Sequence, residues 1–219
     1  MSYNIAIDGP AGAGKSTIAK AVARELKMIY VDTGAMYRAM AYYMLTEKVN
    51  PADREAVAAK CVSADITIQY EDGIQVVYLN GKNVNQYLRT EEVGNMASAT
   101  STVPEVRKKL VELQQALARK ADCVMDGRDI GTCVLPGADV KIYLTASSAV
   151  RAKRRYDELC EKGETCDLEQ IKQDIEERDY RDMHRETSPL RQAEDAVLVD
   201  SSDMTLEEVK DKILALCRR

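Results

Sequence analysis

The chain has 219 residues, of which 45% are hydrophobic and 31% are charged, the balance of an ordinary folded domain. That composition excludes a disordered chain, a collagen-like chain and a disulfide scaffold. The net charge of -5 argues against nucleic-acid binding, because neutralising many phosphates requires a basic surface.

Short apolar runs alternate along the chain with segments of helical period. Residues 106–117 carry apolar side chains every three or four positions after Pro104, which suits the first turn of a helix. A capping box of Thr205 and Glu208 predicts a closing helix. The alternation predicts an α/β fold, in which a parallel sheet is flanked by helices on both faces. The predicted strands cover residues 5–7, 29–31, 123–125, 140–144 and 197–199.

One stretch departs from this alternation and predicts a small antiparallel meander. Residues 65–84 form three short runs of strand pattern, joined by Asp72-Gly73 and by Asn80-Gly81. Both dipeptides are typical of hairpin turns. We therefore expect a single domain with an inserted lobe. Its expected parts are a core of residues 1–61 and 104–219 and an insert of residues 62–103.

Residues 147–182 are densely charged and poor in apolar side chains. This pattern fits a solvated pair of helices, and it also fits a helical lid that moves over a bound ligand. We expect a lid, and its motion is a hypothesis that hydrogen exchange with and without ligand can test.

Residues 9–16 match the P-loop pattern G-x-x-x-x-G-K-[ST] in full, between an apolar strand and an amphipathic helix. The glycines let backbone N–H groups surround phosphate oxygens, and the positive end of the following helix attracts the same anion. Lys15 supplies a cation for the β- and γ-phosphates, and the Ser16 hydroxyl is a candidate ligand for Mg²⁺. The predicted nucleotide-binding residues are Gly9, Pro10, Ala11, Gly12, Ala13, Gly14, Lys15, Ser16 and Thr17.

The P-loop predicts a nucleoside triphosphate but does not distinguish a kinase from other enzymes or from a switch protein. The chain lacks the Asn-Lys-x-Asp string with which GTPases read guanine. Residues 123–126 are a weak version of the acidic strand of motor ATPases. Asp126 either orients Mg²⁺ through water or only ties down the following turn.

Arginine-containing strings follow the second and third predicted strands. Residues 32–38 end in Arg38, and residues 126–132 contain Arg128 and Asp129. Because ligands bind at the carboxyl ends of the strands in open α/β sheets, both strings are expected near a ligand. More arginines than one triphosphate requires indicate a second, phosphorylated substrate.

A further string, residues 177–185, is predicted to be helical. In a helix Arg178, Asp182 and Arg185 share one face, which could hold a ligand. The alternative interpretation is an exposed ladder of ion pairs. His184, the only histidine of the chain, is expected to be exposed to solvent.

Four strings occur in order along the chain: GPAGAGKST at 9–17, DTGAMYR at 32–38, DGRDIGT at 126–132 and ERDYRDMHR at 177–185. With the inserted meander they resemble the bacterial cytidylate (CMP) kinases, a family of P-loop nucleoside monophosphate kinases, over essentially the whole chain. Adenylate and shikimate kinases share the P-loop but not this set. The resemblance implies transfer of the γ-phosphoryl group of ATP to CMP or dCMP, with Mg²⁺, in pyrimidine nucleotide metabolism.

The resemblance also implies roles for individual residues. Lys15, Arg128 and Arg185 are expected to act in catalysis. An ionised Asp129 would accept a hydrogen bond from the exocyclic amine of cytosine and disfavour UMP. The positions that match are Arg38, Arg128 and Arg185 for the acceptor phosphate, Ser98, Arg107 and Asp129 for the cytosine edge, Arg178 and Asp182 for the ribose, Arg151, Arg154 and Arg155 for contacts of the lid with ATP, and Thr33, where many members of the family have serine.

The remaining expectations concern partners and compartment. No apolar run could span a bilayer, and residues 1–4 lack the basic start of a signal peptide. The six cysteines match no zinc spacing, so we expect reduced thiols and no structural metal. We expect a cytoplasmic monomer that binds neither nucleic acid nor membrane. Two alternative functions remain at this stage, a P-loop kinase with another small acceptor and a nucleotide-binding switch protein without turnover.

Overall fold

Each of the five apolar runs forms a strand in the computed structural model, which describes residues 2–217. The strands are β1 (Asn4–Asp8), β2 (Ile29–Asp32), β3 (Ile66–Glu71), β4 (Ile74–Leu79), β5 (Lys82–Asn83), β6 (Cys123–Gly127), β7 (Val140–Thr145) and β8 (Val197–Asp200). The helices are α1 (Lys15–Leu26), α2 (Thr33–Thr46), α3 (Arg54–Cys61), α4 (Glu91–Thr100), α5 (Pro104–Lys120), α6 (Ser148–Glu161), α7 (Leu168–His184) and α8 (Leu206–Leu216).

The chain divides into two units. One consists of Ser2 and residues 29–122, and the other of residues 3–28 and 123–217. The predicted insert, residues 62–103, lies wholly within the first unit. That unit also contains β2, α2, α3 and α5, which the sequence assigns to the core.

The second unit is built on parallel strands in the order β6-β1-β7-β8. Ile5 pairs with Val124 of β6, and Ile7 pairs with Ile142 of β7. These side chains are buried, and α1 packs on β6 while α8 packs on α1. Burial on both faces explains why the strands are continuous apolar runs instead of alternating polar and apolar residues. The predicted class, a parallel sheet flanked by helices, is confirmed.

The first unit contains the antiparallel meander β3-β4-β5 that the turn residues predict. Asp72 and Gly73 have φ of 51° and 77°, and Asn80 and Gly81 have φ of 48° and 76°. Both dipeptides therefore adopt the left-handed backbone that two-residue hairpin turns require. Within this unit, Tyr70 of β3 donates a hydrogen bond from its hydroxyl to the Tyr30 carbonyl of β2 at 3.0 Å.

Helix termini in both units follow local capping chemistry. Pro104 begins α5, and the capping box of Thr205 and Glu208 begins α8, as predicted. Helix α4 lies in a stretch without a predicted helix, although the Thr90 side chain accepts a hydrogen bond from the Val93 N–H at its start. Among residues 2–217, every helix is too short or too polar to cross a membrane.

Candidate active site

The P-loop connects β1 to α1, and its glycines are required by the backbone. Gly9 has φ of 147°, and a Cβ built there would lie 1.9 Å from the Leu144 carbonyl oxygen of β7. Gly14 precedes α1 with φ of 85°, in the left-handed region that favours glycine. Because α1 begins at Lys15, the amides of its first turn have no partner within the helix and are available to an anion.

Lys15 lies buried inside the loop, where its Nζ donates a hydrogen bond to the Pro10 carbonyl at 2.7 Å. Burial, and next the positive charge of Arg128, lower the pKa of Lys15 well below its usual value, whereas Asp126 and Asp8 oppose the shift. Arg178 also contributes to lowering this pKa. A phosphate anion beside Nζ would favour the charged form of Lys15.

Ser16, in the first turn of α1, contacts Asp126 of β6. The Ser16 Oγ donates a hydrogen bond to the Asp126 Oδ2 at 2.9 Å. A hydroxyl and a carboxylate are oxygen ligands of the kind Mg²⁺ takes, with phosphate oxygens and water completing its shell. In the part of the chain that the structure describes, no group of three acidic, histidine or cysteine side chains could hold a metal by itself. The Ser16 hydroxyl and the Asp126 carboxylate therefore suit a Mg²⁺ ion that binds together with a nucleotide.

A cluster of opposite charges lies where residues 126–132 and the end of α7 meet. Arg128 donates a hydrogen bond from Nε to the Asp182 Oδ2 at 2.9 Å. Arg185 lies with Nη2 3.6 Å from the Asp129 Oδ1, and both side chains are buried. Burial would raise the pKa of Asp182, but the charges of Arg128, Arg178 and Arg185 lower it below its ordinary value. The structure therefore brings together five of the predicted residues, three arginines and two aspartates: Arg128, Asp129, Arg178, Asp182 and Arg185.

The string 177–185 is helical as predicted up to His184. Arg185 follows the last turn in an extended conformation, with φ of −66° and ψ of 141°. Its Nε donates a hydrogen bond to the Ser188 carbonyl at 2.7 Å, so the chain has left the helix to reach this partner. His184 is exposed, as predicted, and its ring stacks on Tyr180.

Arg151 of α6 is buried and contacts three parts of the second unit. Its Nη1 donates to the Ala11 carbonyl of the P-loop at 2.8 Å, and its Nε donates to the Ala146 carbonyl at 2.8 Å. Its Nη2 lies 2.6 Å from the Asp179 Oδ2 of α7. Arg151 joins α6 and α7 to the P-loop next to Gly12, and its expected contact with ATP stays a prediction.

The other two lid arginines also have protein partners. Arg154 donates through Nη2 to the Ser201 carbonyl at 2.7 Å. Arg155 forms an exposed ion pair with Glu158 at 2.9 Å. Their expected contacts with ATP stay predictions.

The remaining predicted residues lie in the first unit, on helices that pack on one another. Thr33 and Arg38 are on α2, Ser98 is on α4 and Arg107 is on α5. Arg38 forms an ion pair with Asp32 at 3.2 Å, and its buried Nε has no hydrogen-bond partner. The Arg107 guanidinium lies 5.7 Å from the centre of the Tyr37 ring. An unsatisfied guanidinium N–H of this kind is suited to a phosphate oxygen.

Asp8, the last residue of β1, was not predicted as a site residue. Its oxygens accept hydrogen bonds from the backbone N–H groups of Ile130 and Gly131 at 2.8 Å and 2.7 Å. Burial raises the pKa of Asp8 to about 6 although these bonds and Lys15 oppose the shift, and Asp129 adds to the rise. The only sequence signal was its position, an aspartate at the end of an apolar strand directly before the P-loop.

Known proteins match this chain along almost its whole length. The sequence model of the family described as Cytidylate kinase matches residues 5–219. The cytidylate kinase of Caldicellulosiruptor bescii is 50% identical over 213 residues, which are 97% of this chain and 94% of that protein. That of Lactobacillus johnsonii is 49% identical over 98% of this chain and 94% of that protein.

Solved structures were compared as well. An uncharacterized protein from Eubacterium ventriosum has a TM-score of 0.52 and 14% identity, over 98% of this chain and 97% of that chain. At this identity the likeness shows the fold alone.

Proposed function

The chain belongs to the cytidylate kinase family, and on this basis we infer that it transfers the γ-phosphoryl group of ATP to CMP, giving ADP and CDP. The observation in the structure that supports the inference best is the concentration of cations around the P-loop. Arg128 and Arg178 lie near enough to Lys15 to depress its pKa. One bound triphosphate does not require this many cations. A phosphoryl group in transfer to a second phosphate does require them, because the negative charge of both must be neutralised. The same chemistry extends to dCMP.

The reaction needs positioning and charge neutralisation more than it needs a proton acceptor. The attacking oxygen belongs to the phosphate of CMP, which is already ionised, so no general base is required. Lys15 would contact the β- and γ-phosphates, and Arg128 and Arg185 would hold the acceptor phosphate. Exclusion of water from the site strengthens each of these contacts.

Magnesium is the metal that this donor set suits. The Ser16 hydroxyl would ligate the ion. Asp126, which accepts a hydrogen bond from that hydroxyl, would orient the ion through a bound water. The ion would neutralise charge on the β- and γ-phosphate oxygens.

We propose that Asp129 recognises cytosine, a role that the family resemblance also gives to Ser98 and Arg107. The Asp129 carboxylate is buried, and the Arg185 guanidinium lies 3.6 Å away. A carboxylate accepts from the exocyclic amine of cytosine but repels the carbonyl that uracil presents there. A ribose held by Arg178 and Asp182 would complete the acceptor site.

The proposed function is tested by a steady-state screen of acceptors with ATP and Mg²⁺. CMP and dCMP are expected to have a kcat/KM well above those of UMP, AMP and shikimate. Equal or better turnover of one of the last three would overturn the assignment, and ATP binding without any phosphoryl transfer would favour a switch protein. Asp129→Ala is expected to reduce the CMP to UMP ratio by about 10²-fold or more, since a buried group left unpaired strongly penalises the wrong base. The KM for ATP serves as the internal control.

A further inference from the structure

Asp8 makes a two-point contact with a loop far away in the sequence. Its Oδ1 accepts from the Ile130 N–H at 2.8 Å and its Oδ2 from the Gly131 N–H at 2.7 Å. Two acceptors on one rigid carboxylate, bound to two consecutive amides, fix both the position and the tilt of the peptide between them. The carboxylate is 5% exposed, so water does not compete for these amides.

The peptide that Asp8 holds comes directly after the two residues assigned to CMP. Arg128 and Asp129 precede Ile130, and the Asp129 carbonyl accepts from the N–H groups of Cys133 and Val134 at 2.9 Å and 3.2 Å. The Asp129 carbonyl and the Ile130 N–H belong to one peptide group, so the peptide that follows Asp129 is anchored at both its oxygen and its N–H. Its own φ of −145° and ψ of 27° belong to no regular element, so the side-chain direction depends on these anchors.

The fit around this contact is close. A Cβ built on Gly131 would lie 3.4 Å from the Asp8 Oδ2 and 3.2 Å from the Lys141 side chain. Asp8 is also the residue before Gly9, where the P-loop begins. One side chain thus links the strand that carries the ATP-binding loop to the loop that carries Arg128 and Asp129.

The ionised form of a carboxylate is energetically unfavourable at this position. Burial and the neighbouring charge of Asp129 both raise the pKa of Asp8, which means that both work against its ionised form. An asparagine would avoid that cost, but it offers one acceptor oxygen and would point an NH₂ group at the second backbone N–H. Only the carboxylate satisfies both amides.

We propose that Asp8 is a positioning residue for acceptor recognition, which holds the peptide between Ile130 and Gly131 so that Arg128 and Asp129 face CMP. This inference rests on the proposed function. Asp8 itself contacts neither the acceptor nor the transferring phosphoryl group, and it acts through the loop.

The kinetic test is Asp8→Asn. The KM for CMP is expected to rise and kcat/KM for CMP to fall by about 10²-fold, the effect of displacing a contact group by roughly 1 Å. The preference for CMP over UMP is expected to shrink, and the KM for CMP is expected to change more than the KM for ATP. A variant with a lower melting temperature but an unchanged KM for CMP and an unchanged CMP to UMP ratio would show a merely structural residue and overturn the proposal.

Asp139→Asn is the matched control. The Asp139 Oδ2 accepts from the Asn4 backbone N–H at 2.8 Å, so it makes the same kind of contact at the opposite end of β1. Its kinetics with CMP, UMP and ATP are expected to equal those of the wild type. If this control raises the KM for CMP as much as Asp8→Asn does, the effect is general to β1 and the proposal fails.

Amide hydrogen exchange of the wild type tests the contact without any turnover. The Ile130 and Gly131 amides are expected to exchange slowly, and rapid exchange at either would overturn the proposal even if Asp8→Asn does not fold. A wild-type chain that does not phosphorylate CMP overturns the proposed function, and this exchange measurement still separates that failure from a failure of the Asp8 contact.

Discussion

Lys15 is held where burial and neighbouring positive charge both work against its own charge. Burial and then Arg128 lower its pKa, whereas Asp126 and Asp8 oppose the shift. A nucleotide phosphate placed beside Nζ would reverse this balance, because an anion favours the charged form. The nucleotide-free site is therefore prepared to gain binding energy from phosphate.

Replacing Lys15 with methionine tests this residue in catalysis. We expect kcat to fall by about 10²–10³-fold, the usual loss when one preorganised group that stabilises transition-state charge is removed. Circular dichroism is expected to be unchanged, since methionine keeps most of the side-chain volume. Lys20→Met on the exposed face of α1 is the control and should keep normal turnover. Near-normal turnover of Lys15→Met would remove this residue from the chemistry.

Among the elements, α6 and α7 are joined to the P-loop through one guanidinium. Arg151 contacts the Ala11 and Ala146 carbonyls and the carboxylate of Asp179. A buried pair of this kind costs desolvation energy to form, yet breaking it leaves an uncompensated charge. The position of the two helices is thus coupled to the shape of the phosphate-binding loop.

Arg151→Ala is expected to lower the free energy of unfolding of the nucleotide-free protein by about 3 kcal/mol, because Asp179 loses its buried partner. Denaturant unfolding measures this change. Arg155→Ala is the control, and its exposed pair with Glu158 is expected to contribute about 0.5 kcal/mol or less. If Arg151→Ala weakens ATP binding and leaves the nucleotide-free stability unchanged, the arginine acts as the sequence analysis expected and not as a connection between elements.

Motion of the predicted lid is tested by hydrogen exchange. Peptides from residues 147–182 are expected to gain protection when ATP or an unreactive analogue and CMP are both bound, because closure shields the helices from solvent. Peptides from α8 provide the control and should not change. Equal protection of residues 147–182 with and without both nucleotides would contradict a lid.

At the scale of the whole molecule, Asp8 makes the free energy of unfolding fall as pH rises, the opposite of the usual effect of an aspartate. Its pKa is raised from 3.8 to about 6, so between these values the folded state binds more protons than the unfolded state. Stability from this group therefore falls as pH rises through that interval. Asp182 has a lowered pKa and acts in the opposite sense, since its contribution is lost as pH falls below its ordinary range.

The comparison of wild type with Asp8→Asn isolates this effect, because Asp182 is present in both. The stability of the wild type relative to the variant is expected to decrease by up to about 3 kcal/mol between pH ~4 and pH ~6. Urea unfolding at several pH values measures it. Parallel pH profiles of the two proteins would contradict a raised pKa at Asp8.

Much of the fold followed from local patterns. Apolar runs predicted the strands β1, β2, β6, β7 and β8. Asp72-Gly73 and Asn80-Gly81 predicted both turns of the meander, since only certain residues adopt their left-handed backbone. Helix α4 was not predicted, because its few apolar positions give only a weak helical period, although Thr90 is a favourable N-cap residue. Helix α7 ends one residue before the predicted end of its string, and Arg185 there donates to the Ser188 carbonyl, a local contact that helical periodicity does not reveal.

The sequence by itself determined the phosphate-binding loop, since its glycines, Lys15 and Ser16 are neighbours along the chain and their geometry is local. Only the tertiary structure decided what Asp8 and Arg151 do. Asp8 meets Gly131 across 123 positions of sequence because β1 lies beside β6, and Arg151 meets Ala11 across 140 because α6 returns to the P-loop. Periodicity reports which side of an element is buried, whereas the partner of a buried charge depends on which elements pack together.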